Sequence, residues 1–234
     1  MVLTTILDHF TLTVDTDALA AKLRVRQGNR HLEALGRLVA EAEELGRPKA
    51  MYAEAFVESR EESAVVVEGV RLTSHVLRVN LDGAFRVFPY VATCGSELAA
   101  WYRSQNDVLN QFWAETIAEA ALRQAMTELR RHLTERYRPK KLSSMSPGSL
   151  EDWPLQEQKP LFALLGDVEK SIGVRLTDSF LMVPTKSVSG VFFPSEGSFE
   201  SCQLCPRDKC PGRRAPYDAE LRREKYGLAA PQGA

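Results

Sequence analysis

Read from its N-terminus, the chain carries apolar residues first at helical spacing, then in alternation, then at helical spacing again. Asp15 or Asp17 can cap the run "ALAAKLRV", which predicts a helix to about Arg26. A second helix from about Asn29 puts Leu32, Leu35, Leu38, Val39 and Ala42 on one face, and Gly46 and Pro48 stop it. Between Lys49 and Cys94 the runs "AMYAEAFVES", "SAVVVEGV", "HVLRVNL" and "FRVFPYVAT" alternate or are β-branched, with Gly69 and the Asp82-Gly83 pair as turns. They predict an antiparallel meander. After Gly95, residues Leu109, Trp113, Ile117, Ala121, Ala125, Leu129 and Leu133 recur every fourth position on a long helix reaching about Tyr137. A loop rich in Ser, Lys and Pro follows from Arg138 to Pro154, then a shorter helix in "PLFALLGDVEKSIG" and two strands in "VRLTDSFLMVP" and "KSVSGVFFP". Segregated helices and strands predict an α+β fold, an antiparallel twisted sheet with flanking helices, since a doubly wound sheet needs strict alternation. The polar tail after Arg214, residues 215–234, is expected to be mobile or to lie on the surface.

Composition narrows the function without naming it. Of 234 residues, 44% are hydrophobic and 26% charged, with a formal net charge of -1, so nothing in bulk draws the chain to nucleic acid or a membrane. No run of about 18 apolar residues occurs. Asp8, Thr11, Thr13 and Asp15 interrupt the segment where a secretory signal would stand, which points to a cytoplasmic protein. In that compartment cysteines read as metal or redox chemistry before disulfides.

Three of the four cysteines stand in "SCQLCPRDKCPGRR". Cys202, Cys205 and Cys210 are spaced so that thiolates can turn inward to one ion or cluster while backbone amides point at the sulfurs. Proline follows both Cys205 and Cys210, and Arg207, Lys209, Arg213 and Arg214 offset thiolate charge. A fourth ligand is open: Cys94, one of His9, His31, His75 and His132, a partner group or an exchangeable small molecule. Structural zinc needs a closed tetrahedral set, whereas an iron-sulfur cluster works with three cysteines and an outside ligand, so the cluster is favoured over zinc. The bland alternatives are free thiols or a labile disulfide, and for Cys94 a small buried residue.

Residues 144 to 190 carry a denser signature: Ser146, Pro147 and Gly148; Asp152, Trp153, Pro154, Leu155 and Gln158; Ile172 to Thr177, Ser179, Met182, Pro184 and Lys186 to Ser189. This resembles the activation domain of vitamin B12-dependent methionine synthase, and more closely its short stand-alone relatives, with "SPGY", "DWPLxxQ" and "IGVxLTxSxxMxPxKSVS". Weaker similarity runs through "RPKAMY" and "VATCGSEL", from about residue 5 to residue 214. The resemblance implies a domain that binds S-adenosylmethionine and embraces a corrinoid module, so that inactive cob(II)alamin, once reduced, is methylated back. It implies ligand-binding roles for Ser146, Pro147, Gly148, Lys186, Ser187, Val188 and Ser189. One departure matters. The family's arginine two residues before "SPG" and its tyrosine directly after are Ser144 and Ser149 here, so the carboxylate of S-adenosylmethionine loses its guanidinium. Arg138 or Lys140 are the substitutes within reach in sequence.

The residues also have plain structural readings. Ser187 and Ser189 share one face of a strand with Val188 on the other, Trp153 fits a core anchor, and Trp101, Phe112 and Trp113 fit core positions. The combined expectation is an activation domain-like unit over residues 1–200, a cysteine-rich motif over 201–214 and the tail. Its function is reductive reactivation of a corrinoid-binding protein or corrinoid methyltransferase, with an iron-sulfur cluster relaying electrons from a low-potential donor. The alternatives are a non-enzymatic zinc- or small-molecule-binding protein on the same fold, and S-adenosylmethionine-dependent remethylation of cobalamin.

Overall fold

The computed structural model describes residues 2–25, 30–207, 209–210 and 212–229. The predicted helix boundaries at Arg26 and Asn29 lie outside them. Helix α1 (Thr16–Leu23) starts where the Asp15 side chain accepts from the Ala18 amide at 2.9 Å, and α2 (Arg30–Leu45) follows. The strands β1 (Thr4–Leu7), β2 (Lys49–Ala53), β3 (Ala55–Arg60), β4 (Ala64–Val67), β5 (Val70–Thr73) and β6 (Arg86–Thr93) join one antiparallel sheet. Along one edge β6 pairs first with β2, Lys49 to Tyr52, and then in the same register with β3, where Ala55 and Phe56 face Val87 and Arg86, so the expected meander holds only for β3–β4–β5. On its other edge β6 takes β10 (Ser187–Ser195), and β10 takes β7 (Lys141–Met145).

Helix α5 (Val108–Tyr137) is the long helix the sequence predicts, capped by the Asp107 side chain. Its first half packs Trp113, Ala114, Ile117 and Ala121 against α2 and α4 (Ser96–Arg103). The second half lays Ala125, Leu129 and Leu133 on Tyr52, Phe88, Tyr90 and Phe192 of the sheet. Of the three aromatic positions assigned to the core, Trp101 and Trp113 are buried there, but Phe112 is 58% exposed. On the opposite side of the sheet lie α3 (His75–Asn80), α6 (Gln158–Leu165) and α7 (Val168–Ile172), which close two further core clusters.

Four local expectations fail, each for a physical reason. "HVLRVNL" is helix α3: the Ser74 hydroxyl accepts from the Leu77 amide, and Asp152 takes the amides of His75 and Val76, so capping outweighs β-branching. Strand β7 runs inside the expected loop, because β10 offers it a long-range edge from Val191 to Ser195. The short helix divides at Gly166 into α6 and α7. "VRLTDSFLMVP" folds into a two-residue ladder, β8 (Arg175–Leu176) with β9 (Met182–Val183).

The described part of the tail is anchored rather than loose. Helix α8 (Ala219–Glu224) is followed by Tyr226, 1% exposed, whose hydroxyl donates to Asn80 Oδ1 at 2.7 Å. No described helix is long and apolar enough to cross a membrane.

Candidate functional site

The turn "SPGS" leaves β7 and is closed by the Ser149 amide donating to the Ser146 carbonyl at 3.1 Å. Proline at its second position and a glycine at φ +82° at its third are the composition of a type II turn, and only glycine takes that backbone without strain. Gly148 then donates to the Trp153 carbonyl at 2.7 Å.

"DWPLQEQ" fastens this turn to the body. Asp152 accepts from the Ser74 hydroxyl and from the amides of His75 and Val76 at 3.2 and 2.9 Å. Glu157 accepts from the Thr73 amide at 2.6 Å, and Trp153 is fully buried. Gln158 receives the Ser189 hydroxyl at 3.1 Å and donates to the Phe180 carbonyl at 2.9 Å. These residues therefore hold the turn in place through an inter-element network.

Strand β10 shows the predicted alternation. Ser187 donates to Thr93 Oγ1 at 2.9 Å and Ser189, 2% exposed, to Gln158, while Val188 packs on the α5 side. Lys186 pairs with Glu115 at 3.6 Å. Gly190 is the residue this segment cannot replace. A Cβ there would collide with the Met145 carbonyl oxygen and come within 2.9 Å of both Ser146 Oγ and the Tyr90 hydroxyl. The close approach lets Ser146 hydrogen-bond Tyr90, whose phenol burial pushes above its usual pKa.

Above these residues opens a cleft of about 470 Å³. Ser144, Ser146 and Ser149 line it with Tyr90 and Val188; α5 contributes Leu122, Arg123, Met126, Thr127 and Arg130; Ser201 and Arg214 come from the cysteine-rich segment. Of the residues predicted to bind ligand, Ser146 and Val188 reach the cleft. Ser187, Ser189 and Lys186 hold β10 from its other contacts. Neither Arg138 nor Lys140 replaces the missing guanidinium: Arg138 caps the end of α5, and Lys140 lines a second groove with Lys225 and Tyr226. The cations come instead from α5 and the cysteine loop. Sequence reading missed Arg130 because it sits one step off the apolar stripe of α5, and gave Arg214 only the role of offsetting thiolate charge because its approach to the turn is tertiary.

Two arginine side chains tie down the described part of the cysteine loop, Arg222 by donating from Nη1 to the Leu204 carbonyl at 3.0 Å and Arg213 by a wider set of contacts. Arg213 donates from Nη1 to the carbonyls of Cys202 and Ala215 at 3.0 and 3.1 Å, and from Nη2 to Cys205 at 3.1 Å and to Arg207. The Arg214 amide lies 3.4 Å from Cys202 Sγ, the N–H···S contact that a thiolate ligand wants. Ser149 Oγ approaches Ser201 Oγ at 3.4 Å, so the loop abuts the "SPGS" turn. All three loop cysteines are partly exposed free thiols, yet among the described residues no three His, Cys, Asp or Glu side chains converge as a ready metal site. Their spacing suits a cluster.

Cys94 stands apart. It is fully buried with Leu98 and Ala99, in a core cluster separate from the one holding Leu204, and burial pushes its thiol up to about 12. The histidines are engaged elsewhere: His132 Nε2 meets the Tyr52 hydroxyl at 3.0 Å, His75 Nε2 meets the Tyr226 carbonyl at 3.0 Å, and His9 and His31 lie edge-on to Phe10 and Trp113.

Comparison with known proteins agrees with this geometry. No curated protein matches the sequence. A crystal structure of the MetH reactivation domain bound to AdoHcy has the same fold, with a TM-score of 0.60 at 15% identity, covering 86% of this chain and 81% of that one. Residues 83–208, from just before β6 through the first two loop cysteines, match the family model for the activation domain of vitamin B12 dependent methionine synthase. Since that match spans more than half of its length, the chain belongs to the vitamin B12-dependent methionine synthase activation domain family.

Proposed function

We propose that this chain reactivates a corrinoid carried by a partner protein, in the cytoplasm, by delivering an electron to cob(II)alamin at the cleft beside the "SPGS" turn. The observation that carries this reading is the seating of the cysteine loop on that turn, through Ser149 with Ser201 and through Arg214 in the cleft. An iron-sulfur cluster held by Cys202, Cys205 and Cys210 would supply single low-potential electrons. The chain's own part is to present the loop. Arg213 pins its carbonyls, the Arg214 amide offsets charge at Cys202, and the Asp152 and Gln158 network keeps the turn against the sheet. A low-potential donor and a corrinoid-binding protein or corrinoid methyltransferase are the partners this implies.

A second reading, S-adenosylmethionine-dependent remethylation, is favoured by the retained turn and by the ligand of the structural neighbour. Against it stands the lining of the cleft, where a sulfonium meets Arg123, Arg130 and Arg214 and no acidic side chain. One assay separates the two. A cob(II) corrinoid protein is mixed anaerobically with the chain and a reductant, with and without S-adenosylmethionine, and the cob(II) resonance is followed by electron paramagnetic resonance. Loss of the signal without S-adenosylmethionine, slowed by Cys205→Ser, is the expected result. Loss that requires S-adenosylmethionine and ignores Cys205→Ser would support remethylation. No loss under either condition would end the corrinoid reading.

A further inference from the structure

Arg130 is half-buried on α5 and conspicuously short of partners. One Nη donates to the Leu142 carbonyl at 2.6 Å, and the guanidinium carbon lies 5.0 Å over the Phe192 ring. No carboxylate pairs with it among the described residues, although α5 is otherwise laced with Arg–Glu pairs such as Arg123 with Glu119 and Arg131 with Glu128 and Glu135. A guanidinium offers five donors in a planar fork, so most of its capacity is unspent in the cleft it lines. Arg214 enters the same cleft from the cysteine loop. Its Nε forms an ion pair with Glu200 Oε2 at 3.1 Å, without the alignment of a hydrogen bond, and its side chain is 59% exposed.

Both guanidiniums line the same cleft as Tyr90, and both oppose the rise of its phenol pKa while Glu200 adds to it. The lining itself holds no acidic residue, and of the two arginines only Arg214 has a carboxylate partner, Glu200, while Leu122, Met126 and Val188 give the cleft an apolar wall. A cationic, partly desolvated corner beside an apolar wall suits a ligand with an anionic head and a flat or apolar body.

We infer that the cleft selects its ligand through an oxyanion, carboxylate or phosphate, gripped between Arg130 and Arg214. This replaces the guanidinium that the family's loop supplies at the position of Ser144. The inference rests on the reading of this cleft as the ligand site and is independent of what happens to cobalt.

Isothermal titration calorimetry with adenosine, S-adenosylhomocysteine and ATP tests it, on wild type, Arg130→Gln and Arg214→Gln. At least one anionic probe binds about tenfold or more tighter than adenosine, and each substitution returns that probe towards adenosine by roughly tenfold, the usual effect of losing one charge-assisted contact. Response to S-adenosylhomocysteine identifies the oxyanion as a carboxylate, and response to ATP alone as a phosphate. Arg214→Gln removes an exposed side chain, so its effect stands even if Arg130→Gln weakens β7 through Leu142. Anionic probes binding no better than adenosine would overturn the inference, as would Arg214→Gln binding them like wild type. If the probes behave as expected while a cob(II) corrinoid protein is left unchanged by wild type, the proposed function falls and this inference stands.

Discussion

Replacing Gly190 by alanine perturbs the place where sheet and turn meet, and its cost can be worked from the contacts. A methyl group there would collide with the Met145 carbonyl oxygen and come within 2.9 Å of Ser146 Oγ and of the Tyr90 hydroxyl. Ser146 can rotate away. The other two cannot move freely: the carbonyl belongs to β7, whose Met145 pairs with Val191, and the Tyr90 ring is fully buried and stacked on Phe192 at 4.5 Å. Relief therefore demands a backbone shift in β7, and overpacking of this kind costs about 1–3 kcal/mol, here towards the upper end. At roughly 2–4 °C per kcal/mol for a chain of this size, the melting temperature falls by about 4–12 °C. Gly36→Ala is the control. It lies inside α2 with nothing within 4 Å of an added Cβ, so it gains about 0.5–1 kcal/mol from helix propensity. Differential scanning calorimetry of the three proteins, with hydrogen exchange at Gly148, reads both the stability and the turn. A Gly190→Ala protein that melts with wild type and protects Gly148 equally would refute the reasoning.

Three further expectations follow from the same contacts. Native alkylation at pH 8 modifies Cys202, Cys205 and Cys210 of the metal-free chain quickly and Cys94 only on unfolding, because a thiol pushed up to about 12 by burial holds almost no thiolate; four equal rates in the folded protein would contradict this. Tyr90 and Tyr226 are raised above the ordinary 10.0, chiefly by burial, so the fold favours their neutral forms. Their contribution is fully present below pH 10 and is lost as pH rises above it, and phenolate absorbance should lag behind that of free tyrosine until the chain unfolds. Asp152→Ala removes the acceptor of two amides and a hydroxyl at the start of α3 and costs about 1–3 kcal/mol, with Asp152→Asn recovering part of it; chemical denaturation measures both, and an Ala variant as stable as wild type would deny Asp152 its capping role.

The parts of the fold legible in sequence are those fixed locally. Helix α5 is readable because Trp113, Ile117, Ala121, Ala125, Leu129 and Leu133 all face the core at one spacing, and β10 because its alternation is real. "HVLRVNL" misleads because half of its helix cap, Asp152, lies more than 70 residues away. Strand β7 has the unremarkable sequence "KLSSM" and exists because β10 presents an edge. At the site, the "SPG" turn and the cysteine spacing are sequence features, whereas the cationic corner is assembled by tertiary contacts among α5, the turn and residues 201–214. No periodicity could have joined Arg130 to Arg214.

The central claim is that the cysteine loop, seated on the cleft, carries a redox centre. Anaerobic purification of the full chain and of Cys205→Ser, with iron, sulfide and zinc analysis and a visible spectrum, tests it most directly. The account predicts a brown wild-type protein containing iron and sulfide that loses both colour and iron in the variant. A colourless protein with stoichiometric zinc, or with no metal, would contradict it.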